Sequence, residues 1–289
     1  MYNIEDLLGK EFDETILKDI GIEIPDSVKK MMAELEEMSG RPFCFKLVDD
    51  RSFAPDATIR IGRGVLTKHV ITLNMSRVKE LKSFSYLIAH ELQHALRIYK
   101  SESKYQRVYI ALNRETQSYV KDFIAKNKGK LLFPEEAKVT IVTGLINNLI
   151  TLILNAPVDV AIENELSKDE YGLREYQIKY LKGYCDRMVE ELGNKSISKM
   201  FPASLVNTIQ AIQYAYIKGI SDIVGKQYLN KYKGYKDIVS RGEVLYKIFS
   251  MEDTGQKSDI EKVDKLLAEC GLDSVVSTAG FVESSAMYR

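Results

Sequence analysis

The chain has 289 residues, enough for one large domain or two closely packed ones. Hydrophobic residues make up 45% and charged ones 28%, the profile of a soluble globular protein. Basic and acidic residues balance at 41 each, so the charge points neither to nucleic acid nor to an anionic membrane surface as a partner. Cys44, Cys185 and Cys270 are odd in number and far apart, which is not a disulfide framework. The opening residues lack a basic stretch followed by an apolar run, so no signal peptide is read there and a cytoplasmic location is expected.

In chain order, residues 1–40 read as helical, with Pro25 opening a segment that Gly40-Arg41-Pro42 ends. Three short strands follow, at 43–48, 57–61 and 69–73, rich in β-branched and aromatic residues. From Phe84 to Leu96 no Gly or Pro occurs, and Phe84, Leu87, Ile88, Leu92, Ala95 and Leu96 recur at helical spacing, with Ser83 or Ser85 as a cap. After Lys104 the pattern predicts helices at 104–127, 135–155, 157–168, 173–192, 202–231, 236–250 and 257–271. Val139 to Val158 carries no charge over 20 residues and is long enough to span a bilayer. Its three Asn and three Thr would be costly in lipid, so a buried helix is expected and no membrane association. Ser274 to Arg289 has little periodicity and reads as a partly disordered tail. The expected division is 1–103, 104–273 and 274–289.

The chain has three histidines, and two of them fall in His90-Glu91-Leu92-Gln93-His94. Residues four apart share one helix face, about 5–6 Å from each other, so both imidazoles can reach one Zn²⁺ at about 2.0–2.1 Å. Glu91 lies one step round the helix and can reach a water on the metal, whose pKa zinc lowers to about 7. Glu91 is therefore the candidate general base, and His90 and His94 are the candidate ligands.

Ile88-Ala-His-Glu-Leu-Gln-His94 resembles the zincin superfamily of zinc metallopeptidases over about a dozen residues. The resemblance implies an α+β fold, with a small sheet beside the motif helix and a large, mostly helical part after it. It also implies a Zn²⁺ cofactor, a peptide or protein substrate, and a sheet edge that pairs with the substrate backbone. His69 to Asn74 is the candidate for that edge, with His69 facing substrate; an internal strand is the alternative reading. No histidine follows His94, so the third ligand is expected to be a carboxylate or something weaker, and the resemblance then points to the gluzincin-like branch, where a second helix supplies it.

The best source of that carboxylate is the segment Asn155 to Leu166, where Asn155 can cap and Pro157 suits the first turn of a helix. Val158, Ile162 and Leu166 form an apolar stripe, with Asp159 and Glu163 in a parallel row beside it. By position Asp159 is the ligand and Glu163 supports a histidine; by residue type the roles exchange; Glu165 is a further candidate. Tyr171, Arg174 and Tyr176 are candidates to hold substrate at the developing oxyanion. Besides a peptidase, the sequence admits a binding or regulatory protein with a structural or vestigial metal site, and an amidase acting on a non-peptide substrate.

Overall fold

A computed structural model describes residues 4–51, 55–76, 78, 80–194 and 199–281. The chain divides into two compact units. The first comprises residues 1–106, 162–180 and 280–289, and the second 107–161 and 181–279. The architecture is mixed α and β, with small sheets and a helical majority. Residues 162–180 thus join the N-terminal part rather than the helical remainder expected to begin at 104.

In the first unit, helices α1 (Ile4–Leu7), α2 (Glu14–Asp19) and α3 (Asp26–Ser39) accompany strands β1 (Glu11–Phe12), β2 (Phe43–Val48), β3 (Ala57–Arg60) and β4 (His69–Asn74). The sheet order is β1-β2-β4-β3. β4 runs parallel to β2 and antiparallel to β3, with Phe43 opposite His69 and Ile59 opposite Ile71. The edge role expected of His69–Asn74 is therefore overturned: β4 is paired on both sides, and β3 is the outer strand. Strand order is set by how the β3–β4 connection folds back, which local pattern does not encode. Buried Phe45, Leu47, Ile71 and Leu73 form the centre of the sheet.

Helix α4 (Ser83–Tyr99) carries the motif. Its buried side includes Phe84, Tyr86, Leu87, Ile88, Leu92, Ala95 and Leu96, which are the periodic apolar positions with Tyr86 added. Neither serine caps the helix: Lys82 is the N-cap, and the Ser85 hydroxyl donates to the Lys82 carbonyl at 2.7 Å.

In the second unit, β5 (Arg107–Ala111) and β6 (Val276–Gly280) form a two-stranded sheet, where a helix and a disordered tail were expected. Residues 282–289 of that tail lie outside the described residues. The helices are α5 (Asn113–Lys126), α6 (Glu135–Leu166) up to residue 161, α7 (Arg174–Glu191) from residue 181, α8 (Ala203–Gly219), α9 (Ser221–Val224), α10 (Gln227–Asn230), α11 (Lys236–Phe249) and α12 (Gln256–Cys270).

α6 is one helix of 32 residues with Pro157 inside it, not two helices meeting at an Asn155 cap. Proline withholds one N–H from the helix ladder, but it need not end a helix whose neighbouring turns are held by packing. Ile153, Ala156 and Ile162 around it are all buried. By length and composition alone α6 could cross a membrane. Its exposed positions include Thr140, Gly144, Asn147, Asn148, Thr151 and Asn155, so the polar residues of the uncharged stretch gather toward solvent.

Candidate metal centre

α4 places Tyr86, His90 and His94 four residues apart in one row. The Nε2 atoms of His90 and His94 stand 3.1 Å apart, with the rings edge to face at 4.9 Å between centroids. Two ligands on a tetrahedral zinc at about 2.0–2.1 Å would be separated by roughly 3.3 Å, so the two nitrogens converge as a shared metal requires. Asp159 completes the group: one atom from each of His90, His94 and Asp159 lies within 4.8 Å of the others. Among the described residues this is the one cluster of His, Cys, Asp or Glu with such a geometry. Two imidazoles and a carboxylate suit zinc and leave a fourth position for water or substrate.

Glu163 sits one turn after Asp159 on α6 and makes different contacts. His90 Nδ1–H donates to its Oε1 at 2.8 Å, and the Tyr86 hydroxyl donates to the same oxygen at 2.5 Å. Gln177 Nε2 donates to Oε2 at 2.7 Å and to the Glu163 carbonyl at 2.7 Å. The Glu163 side chain is 1% exposed and that of His90 15%, so the support is sealed while the ring still meets solvent. A carboxylate on Nδ1–H fixes the tautomer that leaves the Nε2 lone pair for a metal.

Glu91 turns toward the sheet, and its Oε2 accepts the backbone N–H of Ile59 on β3 at 3.0 Å. The outer strand and the candidate base are thereby joined.

The remaining sequence-predicted residues separate. His69 is fully buried within the sheet, stacked on Phe43 at 4.8 Å. Gly62 N–H donates to its Nδ1 at 3.0 Å, and Nε2 pairs with Ser39 Oγ at 2.8 Å. Burial, and secondarily the Arg41 charge, lower its pKa to about 4. His69 is a neutral core histidine and takes no part in substrate contact. Tyr171 reaches the motif helix, where Gln93 Nε2 donates to its hydroxyl at 3.5 Å, and that hydroxyl donates to Glu165 at 3.1 Å. Burial, followed by the Glu165 charge, pushes the phenol up to about 12, so it stays a proton donor at neutral pH. Arg174 is exposed and donates to the Ser167 carbonyl at 2.8 Å, just beyond the end of α6, where a cation also suits the helix dipole. Tyr176 is half-buried on α7. Glu165 is engaged by Lys168 at 2.6 Å and by Tyr171, and is not in the converging group.

Two contributors escape sequence reasoning. Tyr86 lies four residues before His90, so the Tyr86-His90-His94 row was legible as one helix face. Gln177 carries no local signal, because only the approach of α7 brings its amide to Glu163.

No family model, no curated protein and no solved structure matches the chain, so its own geometry carries the functional argument.

Proposed function

We propose that the chain is a zinc-dependent peptidase that hydrolyses peptide bonds with Glu91 as general base. The observation that carries this reading is the grouping of His90, His94 and Asp159, whose ligand atoms lie within 4.8 Å of one another, with the two Nε2 atoms 3.1 Å apart. Zinc held there would supply an acidified water and polarise the substrate carbonyl. Glu91 takes the proton from the attacking water and returns it to the leaving amine. The Ile59 N–H holds the Glu91 carboxylate in place between these transfers. Glu163, itself held by Tyr86, orients His90 and makes its ring the better donor. β3, rather than β4, offers the outer backbone on which an extended peptide would add as a strand. Of the three predicted groups, Tyr171 is the one whose hydroxyl meets the motif helix, and it is the candidate support for the substrate oxyanion. Free thiols at Cys44, Cys185 and Cys270 accord with a reducing, cytoplasmic setting.

The test is Glu91→Gln against a diverse library of fluorogenic peptides, with zinc content measured in parallel. The variant should retain zinc and lose about 10²–10⁴-fold in hydrolysis. A zinc-loaded variant that cleaves at the parent rate would remove Glu91 from the mechanism. A zinc-loaded parent that cleaves nothing in the library would remove the peptidase reading.

A further inference from the structure

The second unit contains a cleft of about 500 Å³ lined by α6, α7 and α8. That volume lies within the roughly 300–1,000 Å³ typical of small-molecule sites. Its walls are largely apolar, with Leu149 and Leu152 from α6, Met188 from α7 and Leu205 from α8. The charged residues that line it are Asp159 and Glu191, and no Lys, Arg or His lines it. Both charged side chains of the lining are therefore acidic. Arg187 stacks on the ring of Tyr184 at 5.4 Å but is not part of the lining.

A second observation points to a ligand. Gln213 lines the cleft and is 7% exposed. Its Nε2 donates to Glu191 Oε2 at 3.4 Å, while its buried Oε1 accepts no hydrogen bond from the described residues. Exchanging the amide atoms would turn Oε1 toward the Glu191 carboxylate and repel it, so Glu191 dictates the orientation. An amide oxygen buried without a donor is destabilising, and a donor on a ligand would offset that cost. Glu191 itself is exposed, so the acidic group lies at the mouth and the apolar wall beneath it.

We infer that this cleft binds an apolar amine, with its ammonium group donating to Gln213 Oε1 and the Glu191 carboxylate and its hydrocarbon body against Leu149, Met188 and Leu205. Asp159, a member of the candidate metal group, also lines this cleft.

Calorimetric titration of the full chain tests this, with 4-phenylbutylamine and its neutral counterpart 4-phenyl-1-butanol as probes. Chelator is present throughout, so that zinc at Asp159 does not enter the result. The amine should bind at least tenfold more tightly than the alcohol. Glu191→Gln, a change at an exposed position, should weaken the amine about tenfold and leave the alcohol unchanged, and Gln213→Leu should weaken the amine about tenfold. Equal affinity for the two probes would reduce the cleft to an apolar void. Unchanged amine binding in Glu191→Gln, or no binding of either probe at millimolar concentration, would overturn the proposal.

Discussion

Glu163 accepts from Tyr86, His90 and Gln177, while Asp159, one turn earlier, reaches the imidazole nitrogens. The two carboxylates thus divide the work by position on the helix. Asp159→Ala should lose zinc almost completely in a competitive zinc titration. Glu163→Ala should weaken zinc about 10–100-fold, the usual cost of removing the partner of a ligating histidine. It should also lower stability, because each buried donor left without an acceptor costs about 1–3 kcal/mol. The opposite order of zinc loss would make Glu163 the ligand.

At the scale of elements, α6 is the piece that matters most, since it carries both carboxylates and a wall of the cleft. Its position in the second unit depends on close packing. A Cβ at Gly219, the last residue of α8, would stand 2.7 and 2.8 Å from the two methyls of Val160. Val160 is short, branched and 6% exposed, so it cannot swing aside. Gly to Ala in a helix gains up to about 1 kcal/mol in propensity, whereas overpacking costs about 1–3 kcal/mol. The clash should win, and Gly219→Ala should lower the urea midpoint of unfolding at unchanged slope. A raised midpoint would show that the contact relaxes without cost.

For the whole molecule, the pH dependence of stability should carry the mark of His69. Gly62 N–H already points at Nδ1, so a proton there would set two donors against each other in the core. The folded pKa, about 4, lies below the ordinary value of 6.5. Between these values the unfolded chain binds a proton that the folded chain does not. Stability is therefore fully present above about pH 6.5 and falls as the pH drops toward 4, by about 3 kcal/mol from this group. His69→Asn keeps an acceptor for Gly62 and removes the titration. Denaturant unfolding across pH 4–7 should show a shallower slope in this variant. An identical slope would mean that His69 does not govern acid sensitivity.

How much was legible follows from the range over which each signal acts. The motif helix, its apolar face, and the shared face of His90 and His94 are consequences of 3.6-residue periodicity, so sequence alone determined them. The same periodicity put Asp159 and Glu163 in one row, because side chains one helical turn apart must align. It could not say which carboxylate meets the metal group and which meets His90 Nδ1, since that depends on the distance between two helices 60 or more residues apart in sequence. Nor could it place Gln177, or show that Ile59 rather than His69 lies beside Glu91. Strand order in the sheet, the unbroken run of α6 through Pro157 and the pairing of β5 with β6 were likewise decided by the tertiary structure. In each case a local preference was open or adverse, and burial of apolar surface against a distant element chose the outcome.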